Sequence, residues 1–196
     1  MSDNESGHTV KPVLQVIIGS SRPGRIGFPV ATWFAEIARQ HGGFEVELVD
    51  LAEVNLPMLD ESRHPRFAQY EHQHTIEWSA TIARGDAYVF VTPEYNRGFS
   101  GVLKNAIDYL MVEWAYKPAG IVSYGGVSGG TRAANMLVQV LSGLRLIILQ
   151  EAVNIPFVGA LFQEEAFVPG HISNHAAVLM LDELHRALIN STGLRQ

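Results

Sequence analysis

The amino-acid sequence predicts an α/β fold in which helices cover both faces of a parallel sheet. The first observation is that strand-like apolar runs alternate with segments of helical spacing about five times along the chain. The second is that these runs are short and rich in β-branched residues, which is typical of strands buried on both faces. The third is size, because 196 residues with 47% hydrophobic and 17% charged residues suit one domain with a full core.

Each predicted element has its own pattern. The first strand, over 13–18, is an apolar run that ends in a glycine loop. A helix over 28–40 has its apolar residues on one side and stops at the glycines after His41. The strand over 44–49 alternates more, as an edge strand does, and 51–70 is irregular. The later predicted elements are a helix over 71–84, a strand over 87–92, a helix over 100–111, a strand over 120–123, a helix over 131–141, a strand over 146–149 and a closing helix over 173–189.

Composition and charge exclude several functions. A formal net charge of −6 without a basic run argues against nucleic-acid and membrane-surface binding. Because the chain has no cysteine, thiolate catalysis and thiolate metal sites are excluded, and any redox chemistry needs a bound cofactor. No stretch reaches the roughly 18 apolar residues of a membrane span, and the polar start lacks a signal-peptide pattern. We therefore expect a cytoplasmic protein with one domain over 12–190, a flexible tail over 1–11 and a C-terminal tail over 191–196.

The loop after the first strand has the composition of an anion site. Ligands of an open parallel sheet bind beyond the carboxyl ends of its strands, and residues 19–27 follow such an end directly before a helix. Backbone N–H groups, serine hydroxyls and the guanidinium groups of Arg22 and Arg25 together suit a terminal phosphate. The loop has neither the P-loop lysine nor the dinucleotide-binding glycine pattern. The alternative is an ordinary turn whose arginines face water.

Two further loops have the composition of a site for a flat ring. Residues 92–101 place the aromatic ring of Tyr95, the amide of Asn96 and two glycines beside a buried strand, where they can contact a heteroaromatic ligand. The alternative for this loop is a structured turn without a ligand. Residues 123–130 contain four glycines, and their bare main chain lets a planar ring lie against it.

The glycine loop also matches the pattern of a hydrolase. Residues 126–130 fit G-x-S-x-G, with Ser128 as the nucleophile between a strand and a helix. This hypothesis is weaker, because no acid and histidine are well placed on strand-end loops and the arginine loop stays unexplained. The acids and bases considered are Glu151 and Asp182 with His171, His175 and His185. No metal site is predicted, since His72 and His74 are two apart and do not share a helix face.

The three loops together resemble those of the NADPH-dependent FMN reductase family, which includes quinone, azo-dye and chromate reductases. The resemblance covers about 12–190 and rests on the loop 19–25, the segments 93–96 and 103–108, and the glycine loop 125–130. It implies a flavodoxin-like three-layer sandwich with a five-stranded parallel sheet in the order 2-1-3-4-5. It also implies FMN and NADPH, or NADH, as the cofactors.

The resemblance implies a role for each loop. The first loop is expected to hold the FMN phosphate, the second to line the ribityl chain and the isoalloxazine, and the third to approach the far side of the ring. Many members of the family have serine where this chain has Arg25. The implied cofactor-binding residues are Gly19, Ser20, Arg22, Arg25 and Ile26, then Pro93, Glu94, Tyr95 and Asn96, and then Ser123, Gly125, Gly126 and Ser128.

The implied activity is reduction of FMN by NAD(P)H, followed by electron transfer to a quinone, a free flavin or a similar small molecule in a ping-pong reaction. Backbone N–H groups of residues 125–130 would stabilise the reduced flavin, and no side chain is expected to be catalytic. A homodimer or homotetramer is implied, with the helix from Ser100 and the region of Trp114 as contacts. The alternatives are a flavodoxin-type electron carrier, a weak flavin binder that acts as a sensor or partner-binding subunit, and the serine hydrolase.

Overall fold

The computed structural model describes residues 11–164 and 166–194. Five parallel strands form the central sheet in the order β2-β1-β3-β4-β5, which confirms the predicted fold class and strand order. The predicted N-terminal tail lies outside the described residues except for Lys11. Of the predicted C-terminal tail, residues 191–194 are described: Ser191 ends the last helix, and Thr192–Leu194 form a 3-10 helix. The strands are β1 (Val13–Ile18), β2 (Glu45–Asp50), β3 (Ala87–Pro93), β4 (Pro118–Tyr124) and β5 (Ile147–Ile155).

Helices cover both faces of the sheet. One face of the sheet packs against α1 (Gly27–His41) and against the closing helix α6 (His171–Ser191). The one-turn helix α2 (Leu51–Val54) follows β2 directly. Within the described ranges, no helix is long and apolar enough to cross a membrane. The other face packs against α3 (Gln73–Ala83), α4 (Gly101–Asp108) and α5 (Thr131–Gly143).

Strand β3 lies at the centre of the sheet, and all seven of its residues are buried. Ala87, Val89 and Val91 face the layer of α1 and α6. Tyr88 and Phe90 face the layer of α3, α4 and α5. Because both faces are covered, the strand is an almost continuous apolar run and lacks the period-two pattern of a half-exposed strand.

Two tryptophans belong to the core between the sheet and the layer of α3 and α4. The indole N–H of Trp78 donates to the carbonyl of Ala106 at 2.8 Å, and that of Trp114 donates to the carbonyl of Ile107 at 3.2 Å. Their rings lie edge to face, 6.3 Å apart. Trp114 is fully buried within this chain, so its side chain is a core element and is not a surface for a subunit contact.

The structure differs from the sequence prediction mainly near the C-terminal half. Strand β5 runs to Ile155, well beyond the predicted end at 149. Ala119 pairs with Ile148 but Ile121 pairs with Ala152, so extra residues of β5 bulge and break the apolar pattern. The short antiparallel hairpin of β6 (Phe162–Gln163) and β7 (Ala166–Phe167) was not predicted, because two-residue strands are too short to show a period.

Candidate active site

The loops after β1, β3 and β4 meet at the carboxyl edge of the sheet and line a cavity of about 290 Å³. This volume lies just below the range of about 300–1,000 Å³ for small-molecule pockets. The predicted site residues in its wall are Arg22, Arg25, Ile26, Pro93, Glu94, Tyr95 and Gly125. The wall also contains Pro23, Gly24, Tyr124 and Val158. The other predicted site residues are outside the wall, with Gly19, Ser20 and Ser123 buried, Asn96 and Gly126 exposed and Ser128 half-buried.

A larger groove of about 720 Å³ lies between α1, α6 and the hairpin. Its walls are mainly apolar and include the rings of Phe28, Trp33 and Phe167. It has no cationic side chain for a phosphate, and it lies outside the loops that carry the predicted site. The smaller cavity is therefore the better candidate.

Buried hydrogen bonds fix the first loop to the sheet and to α4. The N–H of Gly19 donates to the carbonyl of Val91 at 2.8 Å, and its carbonyl accepts from the hydroxyl of Ser100 at the start of α4. Ser20 is fully buried, and the Tyr124 hydroxyl donates to its Oγ at 3.4 Å. Gly19 and Ser20 thus form the floor beneath the cavity.

The two arginines of the first loop have different surroundings. Arg25 makes a two-pronged ion pair with the carboxylate of Asp50, the last residue of β2, and donates to the Ser20 carbonyl at 2.8 Å. The Arg22 carbonyl accepts from the Arg25 N–H at 3.0 Å, but its exposed guanidinium group has no hydrogen bond or ion pair with any residue that the structure describes. The free positive charge of this loop therefore belongs to Arg22, and Arg25 connects the loop to the edge strand.

The Asp50 carboxylate is held in its charged form. Burial raises the pKa of Asp50. Hydrogen bonds from Arg25 and from the Ala52 N–H, at 3.0 Å, lower it by more, so the net pKa lies below its ordinary value. The same hydrogen bond raises the pKa of Arg25. Both partners are thus charged across the neutral range.

Glu94 connects the second loop to the start of α5. Its carboxylate accepts from Arg132 Nη1 at 2.7 Å and from the Arg132 backbone N–H at 3.1 Å. Burial raises the pKa of Glu94, and hydrogen bonds from Arg132 and Ser128 lower it to a net value below its ordinary one. The Glu94 carboxylate thus neutralises Arg132 and holds two walls of the cavity at a fixed distance.

A tight turn follows Glu94. Tyr95 and Gly98 exchange both backbone hydrogen bonds, at 2.8 and 3.0 Å. Between them Asn96 and Arg97 have φ angles of 49° and 72°, which makes the turn type I′. Tyr95 is 38% exposed at the rim of the cavity. The turn extends the cavity wall outward from the end of β3.

The buried side chain of Ser123 holds the third loop in its conformation. This side chain is fully buried, and its Oγ lies 2.8 Å from both the Gly129 carbonyl oxygen and Asn154 Oδ1. Gly130 has a φ of 81°, and a Cβ there would lie 2.8 Å from the Tyr124 nitrogen. Only glycine fits this close approach. Ser123 therefore acts on the shape of the loop, and its hydroxyl does not face the cavity.

Sequence reasoning missed four residues of the site. Asp50 could have been found, because β1 and β2 pair in register and place a strand-ending carboxylate beside two arginines. Tyr124 ends β4 next to the glycine loop, and burial raises its pKa to about 12, so it stays protonated. Val158 and Arg132 gave no signal, because their positions depend on how β5 and α5 pack.

The structure does not assemble the hydrolase alternative. The Ser128 hydroxyl lies near the Glu94 carboxylate and lowers its pKa, and no described histidine hydrogen-bonds Ser128. Asp182 contacts His41 at 3.1 Å, near the start of β2 at the opposite edge of the sheet. Glu151 is exposed on the edge strand β5. In the part of the chain that the structure describes, no group of three or more acidic or histidine side chains is arranged to hold a metal ion.

We expect Gly27→Ala to lower the free energy of unfolding by about 1–3 kcal/mol, because it overpacks the floor of the cavity. A Cβ on Gly27, the first residue of α1, would lie 2.3 Å from Ser20 Oγ and 2.6 Å from the Tyr124 hydroxyl. Urea unfolding measures the change. Gly101→Ala is the matched control, since Gly101 is the first residue of α4 and has no atom within 4 Å of a built Cβ. Equal effects of the two substitutions would contradict the close contact.

Comparison with known proteins identifies related chains. Residues 13–159 match the family model described as NADPH-dependent FMN reductase. The chain is 43% identical over 129 residues to an NAD(P)H-dependent FMN reductase of Schizosaccharomyces pombe, and the match covers 65% of this chain and 64% of that one. It is 35% identical over 178 residues to an NAD(P)H-dependent FMN reductase of Saccharomyces cerevisiae, which covers 85% and 92% of the two chains.

A solved structure shows the same fold. The flavoenzyme FerB of Paracoccus denitrificans, an NAD(P)H:(acceptor) oxidoreductase, superposes with a TM-score of 0.72 at 21% identity. The match covers 91% of this chain and 98% of that one. The architecture of the chain is therefore the flavodoxin-like sandwich.

Proposed function

Because this chain belongs to the NADPH-dependent FMN reductase family, and is therefore an oxidoreductase, we propose that it passes electrons from NADPH or NADH through FMN to a small-molecule acceptor. The observation that carries the proposal is the meeting of three loops around one cavity whose first loop has an unpaired arginine, Arg22. The curated relatives are named as reductases, which favours turnover with NAD(P)H over a flavodoxin-type carrier.

The residues around the cavity fit FMN. Arg22 suits a terminal phosphate, and the loop leads into α1, whose first N–H groups carry partial positive charge. Pro93, Tyr124 and Val158 offer apolar surface to a ring system. Gly126 has no heavy atom within 4 Å of a built Cβ, so its main chain is open to a flat ligand. Arg25 would act on the phosphate indirectly, by holding the loop through Asp50.

FMN supplies a ring that accepts a hydride from a nicotinamide and gives electrons to an acceptor. The chain supplies hydrogen-bond donors for the charge that develops. In the glycine loop, the N–H of Gly125 donates to Ile155 and that of Gly129 donates to Gly126. The other N–H groups of this loop have no backbone acceptor among the described residues, and of these only Gly126 and Val127 are exposed. We assign these two groups to the stabilisation of a negatively charged ring, as preorganised dipoles.

We propose a ping-pong order. The three loops converge on one cavity, and the nicotinamide and the acceptor would use the same exposed face of the flavin in turn. Tyr95, half-exposed at the rim, offers an aromatic face to whichever ring is present. The acceptor class is therefore a flat, conjugated molecule such as a quinone or a free flavin.

The test is anaerobic reduction of the FMN-loaded protein. Addition of NADPH or NADH is expected to bleach the flavin band at about 450 nm, and addition of a benzoquinone is expected to restore it. Initial rates at several concentrations of both substrates should give parallel double-reciprocal lines. A protein that binds FMN but is reduced by neither nucleotide would overturn the proposed reductase. Intersecting lines would overturn the ping-pong order alone.

The cytoplasmic location and the homodimeric or homotetrameric state stay predictions. Exposed apolar side chains near α4 support an oligomer, since Met58 is 80%, Leu59 41% and Val112 49% exposed. Leu59 is joined to α4 by a hydrogen bond from its N–H to Asn105 Oδ1 at 2.9 Å. Light scattering after size exclusion would measure the mass, and a monomer of 21.6 kDa would contradict the prediction.

A further inference from the structure

The arginines of this acidic chain are almost all engaged. Every arginine that the structure describes has an ion pair, a hydrogen bond or an aromatic ring contact, with two exceptions. The exceptions are Arg22 and Arg97, and both are exposed in loops at the carboxyl edge of the sheet. Two free guanidinium groups therefore belong to loops at this edge: Arg22 is in the wall of the cavity, and Arg97 follows the wall residue Tyr95 by two positions.

Arg97 occupies a position that favours glycine. It is the second central residue of the type I′ turn formed by residues 95–98, and its φ of 72° is uncommon for a residue with a Cβ. The side chain makes no described contact that would compensate for this conformation. A residue in a strained backbone conformation, without a packing role, points to a function for its side chain.

The substrates of the proposed reaction carry two separate phosphate dianions that need a cation. One is the terminal phosphate of FMN, for which Arg22 is available in the first loop. The other is the 2′-phosphate of NADPH, which NADH lacks. We propose that Arg97 binds this 2′-phosphate and so sets a preference for NADPH, an inference that rests on the proposed reductase function.

Neighbouring cations are poorer candidates for this role. Arg132 lies in the same region, but Glu94 neutralises it at 2.7 Å. Arg25 is neutralised by Asp50. Arg97 is exposed and follows the cavity-lining residues 93–95 by two positions, so it is placed to meet a part of a dinucleotide that extends out of the cavity. A guanidinium suits a phosphate there because its N–H groups form paired, charge-assisted hydrogen bonds.

The test compares Arg97→Gln and Arg97→Gly with Arg145→Gln in the FMN-loaded protein. Arg145 is a matched control, since it is also exposed and has a φ of 62°, but lies in the turn before β5 at the opposite edge of the sheet. Two measurements are made on each protein. One is the rate of flavin bleaching by NADPH and by NADH, and the other is the binding of adenosine 2′,5′-bisphosphate and of 5′-AMP.

Both Arg97 variants are expected to lose roughly tenfold or more in kcat/KM for NADPH and in affinity for the bisphosphate. NADH and 5′-AMP should change less than about twofold, as charge-assisted contacts to the 2′-phosphate are absent from them. Arg97→Gly should keep or raise Tm, because glycine relieves the turn, which separates recognition from stability. Arg145→Gln should keep the preference for NADPH.

Two results would overturn the inference. One is a wild-type protein that uses NADH and NADPH equally, and the other is an equal loss with both nucleotides in the Arg97 variants. If neither nucleotide bleaches the wild-type flavin, the proposed function fails instead. The binding titration does not depend on turnover and then still decides whether Arg97 holds a 2′-phosphate.

Discussion

Arg22→Gln is expected to bind FMN roughly 10- to 100-fold more weakly than the wild type, because it removes a charge-assisted hydrogen bond to the phosphate. Arg22 is exposed and unpaired among the described residues, so no internal contact is lost with it. Tm of the protein without added FMN should therefore stay within about 1–2 °C, as for other surface substitutions. Quenching of flavin fluorescence on titration measures the affinity directly.

The matched control for this prediction is Arg66→Gln. Arg66 is also an exposed arginine, but it lies over the ring of Phe67, 4.6 Å from its centroid, in the short 3-10 helix Pro65–Phe67. It is not in the wall of the cavity. FMN affinity should be the same in Arg66→Gln and in the wild type. An Arg22→Gln protein with unchanged affinity would mean that the phosphate is held by backbone groups alone.

Asp50→Asn is expected to lower the free energy of unfolding by about 2–3 kcal/mol, since it leaves Arg25 without its counter-charge. The Asp50 side chain is 5% exposed and that of Arg25 is 20% exposed, so the cost lies at the low end for a buried pair. Urea unfolding at neutral pH measures the difference. Asp108→Asn is the control, because Asp108 pairs with Lys104 on the surface of α4 and is 38% exposed. That surface pair should contribute about 0.5 kcal/mol or less.

The effect of Asp50→Asn should depend on pH in a definite direction. The pKa of Asp50 is lower in the folded protein than its ordinary value of about 3.9, so its charge stabilises the fold above that pH. This stabilisation is lost as the pH falls through the lowered pKa and Asp50 takes up a proton. The difference in free energy between wild type and variant is thus full at pH 7 and shrinks below about pH 3.9. A difference that grows in acid would contradict the ion pair.

The two substitutions also test different properties of one loop. Arg22→Gln should change FMN affinity and leave stability unchanged, because the Arg22 side chain has no partner among the described residues. Asp50→Asn should change stability first, and should change affinity only through the loop that Arg25 holds at the Ser20 carbonyl. Opposite results would exchange the roles of the two arginines.

The sheet and its ligand-binding edge could be predicted from the sequence, because parallel strands buried on both faces appear as short apolar runs. Strand β3 is the clearest case, and its boundaries differ from the prediction only by the inclusion of Pro93. The bulge of β5 could not be predicted, since its exposed residues at the edge of the sheet have no hydropathy pattern. The hairpin of β6 and β7 is too short for any period.

Within the site, the sequence predicted which loops line the cavity but not the separate roles of their side chains. Arg22 and Arg25 are both arginines of the same loop, and the sequence alone does not distinguish them. In the structure, Asp50 lies opposite Ile18 and supplies a counter-charge to Arg25 alone. Glu94 lies in the wall of the cavity as well, and sequence reasoning did not show that its carboxylate pairs with Arg132. The predicted strand order alone does not say which of two nearby arginines takes a carboxylate, because that depends on the course of the loop in the folded protein.

The hydrogen bonds that shape the cavity join protein groups to one another. Gly19 is held by Val91 and Ser100, and Glu94 is held by Arg132. Little of the chain therefore has to become ordered when a ligand enters, and little of the fold depends on its staying. A flavin bound in such a site can leave without unfolding the protein. The same chain could then reduce FMN that stays bound or release reduced FMN into the surrounding solution. The ratio of bound to released reduced FMN would depend on the concentration of free flavin.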